Sequence, residues 1–139
     1  MCIRDRVTRK VAMFACGIGI TPLRALLEEL AYEPGDAVLV YRAHDVDDLV
    51  FRGELDQLAQ RRGVTVNYVL GRRIRNRQSW LPESAAAWTD EDAMQQLVPG
   101  ISQYDVYVCG PDQWMDAVCA AATGIGLPPN QLHQERFSW

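Results

Sequence analysis

Short apolar runs alternate with amphipathic segments along this 139-residue chain. Continuous apolar runs of this length are typical of strands that are buried on both faces of a sheet. Such runs predict five strands, at residues 10–16, 37–41, 64–70, 105–109 and 131–137. The segments between the runs are long enough to cross from one end of a sheet back to the other.

The segments between these runs carry apolar residues at helical spacing. One stripe of leucines marks the first of them: Leu23, Leu26, Leu27 and Leu30. Pro22 suits the first helical position, where its missing N–H has no intrahelical partner. The pattern predicts helices at residues 22–32, 50–62, 91–97 and 113–123, whereas residues 71–88 lack periodicity and are predicted to form a long polar loop.

Strands that alternate with helices indicate a parallel sheet, because parallel strands need crossover connections. Right-handed crossovers place the helices on both faces of that sheet. We therefore expect an α/β fold of the doubly wound, Rossmann-like type, with a five-stranded parallel sheet in the order 3-2-1-4-5. Residues 10–139 are expected to form one domain, and residues 1–9 are interpreted as a tail or a truncation scar.

Composition excludes several classes of function. The net charge of −4 and the pI near 5.1 argue against a nucleic-acid partner, which requires a basic surface. No apolar stretch approaches the roughly 20 residues of a membrane helix, so we expect a cytoplasmic chain without membrane contact. We predict no metal site, because the chain has only two histidines and its cysteines lack CxxC spacing: Cys2, Cys16, Cys109 and Cys119.

Two predicted strands end in glycine turns that lead into predicted helices. The first turn contains Gly17 and Gly19, and the second contains Gly110. In the predicted strand order both turns flank the crevice where ligands bind in such sheets. Glycine lets a backbone approach a pyrophosphate, and the N–H groups at a helix start attract it, with the Thr21 hydroxyl adding a donor. The alternative is a tight turn that needs glycine for geometry alone, since the full G-x-G-x-x-G fingerprint would require glycine where Pro22 stands.

Four segments together resemble, in order and spacing, the NAD(P)H-binding domain of the ferredoxin-NADP reductase superfamily: GIGITPLRALLEEL, VYRAHDVDDLVFRGELDQLA, DVYVCGPDQWMDAV and HQERFSW. The likeness is greatest to bacterial ferric-reductase-like and oxygenase-reductase flavoproteins, and it extends over residues 10–139. The resemblance implies a separate β-barrel domain that binds FAD or FMN. We expect that barrel to be missing from this chain and to be supplied in cis or in trans.

The resemblance also implies roles for individual residues. Gly17, Gly19, Thr21 and Pro22 match the pyrophosphate loop, with Thr21 and Pro22 towards the nicotinamide. The family's CGP motif and the residue that follows it correspond to Cys109, Gly110, Pro111 and Asp112. The resemblance places Cys109 beside the nicotinamide C4 and Glu135 near the flavin and nicotinamide, so these two are the candidate catalytic residues. Phe137 or Trp139 falls where an aromatic ring meets the isoalloxazine, although either could simply pack the last strand.

Coenzyme preference depends on the residues at the ends of the second and third strands. In NADP-dependent members of the superfamily, a basic residue just after the third strand meets the 2′-phosphate, and Arg72 and Arg73 stand there. Arg42 stands near the end of the second strand, where an acidic residue would bind a free ribose 2′-hydroxyl. These positions favour NADP(H) over NAD(H), the alternative being a solvated arginine-rich loop.

The function that this resemblance implies is nucleotide binding in a flavin-dependent oxidoreductase. The module would present nicotinamide C4 for hydride transfer to a flavin, and the electrons would pass on to an iron-sulfur protein, a haem membrane domain or a ferric chelate. Its place would then be the cytoplasm or the cytoplasmic face of a membrane-bound reductase. The alternative is a non-catalytic nucleotide-binding or regulatory module. Flavodoxin-like FMN binding is less favoured, because Thr21 is the loop's one hydroxyl residue.

Overall fold

The computed structural model describes residues 9–135. Five strands form one sheet: β1 (Val11–Cys16), β2 (Ala37–Ala43), β3 (Val64–Leu70), β4 (Asp105–Cys109) and β5 (Leu132–Gln134). Every pairing is parallel and the order is β3-β2-β1-β4-β5. The predicted sheet and strand order are confirmed.

The four predicted helices are present: α1 (Ile20–Glu29), α2 (Arg52–Arg62), α3 (Asp90–Leu97) and α4 (Asp112–Gly124). The placement of Pro22 at the first helical position is wrong. A 3-10 turn at Gly17–Gly19 runs directly into α1, which begins at Ile20. Proline is tolerated at the third position because the first-turn N–H groups have no intrahelical partners. None of the helices within residues 9–135 has the length and apolar character needed to cross a membrane.

The predicted starts and ends of two helices also shift. α1 ends at Glu29 rather than at residue 32, because Leu30 adopts an extended conformation with φ −70° and ψ 150°. α2 begins at Arg52 rather than at residue 50, because Phe51 is left-handed with φ 62°. At the other end of α2, Gly63 takes the left-handed conformation expected of a helix cap.

Side chains of the central strands alternate between two buried cores, one on each face of the sheet. Ala12 and Phe14 of β1 pack on one face with α3 and α4, which we call the α3–α4 core. Val11 and Met13 pack on the other face with α1 and α2, which we call the α1–α2 core. The predicted arrangement of helices on both faces is therefore confirmed.

The segment after β3 is more ordered than the predicted polar loop. Residues 72–83, which we call the strap, fold back on themselves. Arg73 and Pro82 form an antiparallel bridge, and the Glu83 N–H donates to the Arg72 carbonyl at 2.7 Å. The underside of the strap belongs to the α3–α4 core, where three of its side chains are buried: Ile74, Trp80 and Leu81. The strap thus covers one end of the sheet beside the carboxyl ends of the strands.

Candidate functional site

The two glycine turns contact each other. β1 and β4 are neighbours, with Ala15 opposite Cys109, so both turns leave the sheet at the same edge. A Cβ atom built on Gly19 would overlap the Cys109 carbonyl oxygen and lie 2.9 Å from the Gly110 nitrogen, so packing alone requires glycine there. Gly17 differs, because it has φ +59° and open space around its Cα. The turn at residue 17 therefore leaves room for a ligand.

Two helices begin beside these turns. α1 begins at Ile20 with Thr21 exposed, and α4 begins at Asp112 after Pro111. Among the described residues, no side chain caps the start of either helix. The dipoles of both helices therefore favour an anion at these starts, where the Ile20 N–H already donates to the Gly17 carbonyl and Pro22 has no N–H.

An open cleft of about 1030 Å³ lies at the carboxyl ends of β1, β2 and β3. Four predicted site residues line it: Arg42, Arg73, Pro111 and Asp112. The remaining predicted residues of the described chain are absent from its lining, namely Gly17, Gly19, Thr21, Pro22, Arg72, Cys109, Gly110 and Glu135. The glycine turn begins directly after Cys16, which also lines the cleft. The turns and the cleft are thus continuous parts of one edge of the sheet.

The two candidate catalytic residues are neighbours at the end of β4. The Glu135 N–H donates to the Val108 carbonyl at 2.8 Å, which brings Glu135 beside Cys109. Burial raises the pKa of the Cys109 thiol to about 11, and the negative charge of Glu135 contributes to that rise. The Cys109 thiol is therefore uncharged at neutral pH. Its side chain is 1% exposed within the described chain, a position that suits the alternative of a packed strand residue as well.

Sequence reasoning missed Cys16 as a residue of the site. Its side chain is partly buried and lines the cleft directly before Gly17. Burial raises the pKa of Cys16 to about 11, an effect that the nearby Arg42 guanidinium partly offsets. The sequence did contain an indication that Cys16 belongs to the site. Cys16 ends a predicted parallel strand, and the carboxyl ends of such strands face the ligand crevice.

Arg42 is buried and hydrogen-bonded to backbone groups. Its Nε donates to the Trp80 carbonyl at 3.2 Å, and its Nη1 donates to the Ala43 and Gly71 carbonyls at 2.6 and 2.8 Å. The indole Nε1 of Trp114 donates to the same Trp80 carbonyl at 3.2 Å. Sequence reasoning missed both tryptophans as parts of the site, since their partners are distant in sequence and no spacing pattern marks them.

The strap gives the cleft a cationic wall. Arg73 and Arg75 are exposed and line the cleft. Arg77 also lines it, but its guanidinium donates to the Trp88 carbonyl at 2.8 Å and lies 3.8 Å from Asp90. A guanidinium suits phosphate oxygens because its planar fork can donate two parallel hydrogen bonds. The wall therefore favours an anionic ligand.

Among the described residues, one group of side chains at the edge of the cleft has the composition of a cation site: His44, which lines the cleft, with Asp45 and Asp48, whose ligand atoms all lie within 4.8 Å of one another. All three residues are exposed. The Asp45 carboxylate already accepts the Asp47 N–H at 2.7 Å, and Asp48 Oδ2 accepts the Asp45 N–H at 3.2 Å. These hydrogen bonds account for the cluster as a turn-stabilising capping box.

The sequence predicts one aromatic contact with the flavin, from Phe137 or from Trp139. Phe137 and Trp139 lie outside the described residues 9–135, and both stay predictions.

Comparisons with known proteins agree with this fold. The family described as "Oxidoreductase NAD-binding domain" matches residues 13–120. The ferredoxin reductase component of 3-ketosteroid-9-alpha-monooxygenase from Rhodococcus rhodochrous is 30% identical over 127 residues, which are 91% of this chain and 33% of that protein. NADH-cytochrome b5 reductase 1 of Candida glabrata is 28% identical over 128 residues, which are 88% of this chain and 44% of that protein.

Solved structures show the same fold. The Amycolatopsis cytochrome P450 reductase GcoB matches with a TM-score of 0.69 and 21% identity, over 99% of this chain and 40% of that one. The cytochrome b5 reductase domain of Ulva prolifera nitrate reductase matches with a TM-score of 0.66 and 19% identity, over 92% of this chain and 50% of that one. This chain thus spans between a third and a half of the relatives named here.

Proposed function

Because this chain belongs to the family of oxidoreductase NAD-binding domains that serve flavin-dependent reductases, we propose that it binds a nicotinamide dinucleotide across its two glycine turns and presents the nicotinamide C4 to a flavin. The flavin would be held by another domain of the same protein or by a partner chain. The observation that carries this proposal is the contact between the two glycine turns at the edge of a cleft whose opposite wall is cationic.

The first step is binding of the pyrophosphate at the helix starts. The open space at Gly17 would admit the phosphates, and the positive dipole ends of α1 and α4 would attract their oxygens. Thr21 adds an exposed hydroxyl, and Pro22 follows it towards the nicotinamide. The turn formed by Gly110, Pro111 and Asp112 closes the site from the β4 side.

The second step is placement of the reacting ring. When bound, the reduced nicotinamide supplies a hydride from C4 to the flavin N5, which leaves an oxidised nicotinamide and a reduced flavin. Cys109 ends β4 and Glu135 follows the neighbouring β5, so the two residues lie side by side, where they would orient the ring. Because its pKa is raised to about 11, the Cys109 thiol is a neutral wall of the site rather than a nucleophile. Phe137 or Trp139 would supply the aromatic ring that packs against the isoalloxazine.

Coenzyme preference follows from the strap. Arg73 lines the cleft and Arg72 precedes it at the start of the strap, directly after β3 and Gly71. Their guanidinium groups would bind the 2′-phosphate of NADP(H), and a ligand without that phosphate would lose these hydrogen bonds. We therefore propose NADP(H) rather than NAD(H) as the preferred coenzyme.

The proposal includes partners beyond the flavin domain. Two of the relatives named above are a ferredoxin reductase component of a monooxygenase and a cytochrome b5 reductase. The electron acceptor here would be an iron-sulfur protein, a haem membrane domain or a ferric chelate. A non-catalytic nucleotide sensor is the competing function. Replacing Cys109 by alanine in the complete reductase distinguishes the two, because the substitution should slow hydride transfer in an enzyme and leave a sensor's nucleotide affinity unchanged.

Isothermal titration of the purified chain tests the binding step. We would titrate NADP⁺, NAD⁺, 2′-phospho-AMP and AMP in parallel at one moderate salt concentration. NADP⁺ differs from NAD⁺ only in the 2′-phosphate, and 2′-phospho-AMP differs from AMP in the same way. The member of each pair without the phosphate is therefore the control for the other. Tighter binding of NADP⁺ and 2′-phospho-AMP supports the proposed site and the role of the strap. Tighter binding of NAD⁺ supports the site but contradicts the proposed preference for NADP(H). Absence of binding by all four ligands contradicts the proposal for this chain.

A second measurement tests whether the chain needs a separate flavin to accept the hydride. The chain alone should oxidise NADPH slowly, because no residue of the site can itself accept a hydride. Rapid oxidation of NADPH by the purified chain, without added flavin, would contradict the proposal.

A further inference from the structure

The strap is fastened to the end of β2 by one side chain. Arg42 is 6% exposed, and it donates to a carbonyl at the base of the strap, on Gly71, and to one near the strap's far end, on Trp80. Its third acceptor is the Ala43 carbonyl of its own strand. The planar guanidinium of Arg42 therefore connects β2 both to Gly71, which directly precedes the strap, and to Trp80 near the other end of the strap.

The strap is also fastened to α4, which forms the opposite wall of the cleft. Trp114 Nε1 donates to the Trp80 carbonyl that Arg42 already contacts. Gln78 Nε2 donates to the Gln113 carbonyl at 3.3 Å. These contacts fix the distance between the two walls, so the width of the cleft depends on the hydrogen bonds that meet at the Trp80 carbonyl.

The ligand-facing part of the strap lies between these fastenings. Arg73 is exposed and lines the cleft, two residues after Gly71. A guanidinium at the end of a long side chain binds a phosphate well only when its backbone is held, because ordering a mobile segment costs conformational entropy. The fastening of Gly71 and Trp80 therefore governs how well Arg73 can meet a phosphate.

Resting on the nucleotide-binding function proposed above, we propose that Arg42 is a positioning residue, which acts on the coenzyme through the strap and Arg73 rather than by contacting the 2′-phosphate. Two of its three guanidinium nitrogens already donate to backbone carbonyls. Arginine suits this position because its fork donates in several fixed directions, whereas the single nitrogen of lysine cannot span the same carbonyls. The preference for a 2′-phosphate therefore depends on a buried residue as well as on the exposed arginines.

A double-mutant cycle on the full chain tests whether Arg42 acts on the coenzyme through Arg73. Arg42→Lys, Arg73→Ala and the double variant are titrated with 2′-phospho-AMP and AMP, and the ratio of the two affinities is compared. We expect Arg42→Lys to lower the ratio about tenfold in the native background, and less than about twofold once Arg73 is alanine. An equal effect of Arg42→Lys in both backgrounds overturns the inference, and so does an unchanged ratio, because lysine keeps the charge that a direct contact would use.

Hydrogen exchange gives a readout that needs no ligand. Arg42→Lys should speed amide exchange at the hydrogen-bonded N–H groups of the strap, on Trp80, Leu81 and Glu83, and leave exchange in β1 and α2 unchanged. Trp114→Phe is the second variant, for use if substitutions at Arg42 prevent folding, since it removes one hydrogen bond to the Trp80 carbonyl and keeps a smaller aromatic ring at that position. We expect faster exchange in the strap and about a threefold smaller affinity ratio. Unchanged exchange in the strap overturns the inference.

The titrations also separate the two proposals. If the native chain binds neither nucleotide, the proposed function fails and the inference fails with it. If the native chain binds 2′-phospho-AMP and the cycle is additive, only the role of Arg42 is overturned.

Discussion

The carbonyl oxygen of Cys109 occupies the space that a side chain on Gly19 would need. We therefore expect Gly19→Ala to force the two glycine turns apart. Overpacking of this kind costs about 1–3 kcal/mol of the free energy of unfolding, and it should weaken NADP⁺ binding about tenfold or more. Chemical denaturation and titration measure the two effects.

The matched control is Gly53→Ala in α2, where an added Cβ meets nothing within 4 Å. Alanine should leave the free energy of unfolding unchanged or raise it by up to about 1 kcal/mol, because alanine favours helix. Equal effects of the two substitutions would contradict the role of close packing between the turns.

Arg73→Ala should reduce the affinity for NADP⁺ and spare the affinity for NAD⁺. Loss of a hydrogen bond to a charged group costs about 1.5–3 kcal/mol, which is a factor of about 10–100 in affinity. Titration at two salt concentrations should also show a weaker salt dependence in the variant. Arg61→Ala is the control, because Arg61 is exposed on α2 and lies 3.4 Å from Glu28. A comparable loss of NADP⁺ affinity in that variant would contradict a specific role for Arg73.

The raised pKa of Cys109 predicts a loss of stability at high pH. The folded chain holds this proton more tightly than the unfolded chain, because the thiol pKa rises from 9.0 to about 11 on folding. Above the unfolded pKa, the unfolded state loses its thiol proton first, so the free energy of unfolding falls until the pH passes the folded pKa. Denaturation at about pH 8 and about pH 10.5 should therefore show a larger fall for the native chain than for Cys109→Ala.

The native chain and the Cys109→Ala variant both retain Cys16 and Tyr41, whose pKa values are also raised chiefly by burial. These groups contribute the same background loss to each. An identical fall in the native chain and the variant would contradict the predicted protonation of Cys109.

Asp90→Ala should loosen the strap. The Asp90 carboxylate accepts hydrogen bonds from the Ser79 hydroxyl and, at 3.4 Å, from the Trp80 N–H. Losing these charge-assisted hydrogen bonds should cost about 2–3 kcal/mol of the free energy of unfolding. Asp92→Ala is the matched control, since it removes a carboxylate from the same helix turn and should cost about 0.3–1 kcal/mol through the helix dipole. Denaturation midpoints that fall equally in the two variants would contradict the role of Asp90 in holding the strap.

The sheet was predictable because its strands are continuous apolar runs. Burial on both faces requires that pattern, and the helices between the runs leave a parallel arrangement as the consistent outcome. The placement of both glycine turns at one edge followed from the strand order. The exact start of α1 did not, because the 3-10 turn at Gly17–Gly19 extends the helical conformation back past Pro22.

The strap was not predictable, because its order depends on distant partners. Trp80 packs edge-on against Phe14 at 5.5 Å, and Trp80 Nε1 donates to the Asp90 carbonyl at 3.2 Å. Neither contact leaves a periodic signal in a polar segment. The same holds for Arg42, whose position at the end of β2 suggested a ligand contact and whose hydrogen bonds with Trp80 and Gly71 appear only in three dimensions.

The buried underside of the strap has a consequence for the engineering of coenzyme specificity. A loop without a matching tryptophan, transplanted in place of residues 72–83, would take away Trp80, the largest fully buried side chain of the described residues, and leave a void against Phe14. Replacing a buried tryptophan with a small residue costs about 3–5 kcal/mol, a large share of a small domain's stability. A graft that lacks this tryptophan must therefore also change the residues of β1 and α3 that pack against it, so the choice of coenzyme cannot be engineered on the surface of the strap alone.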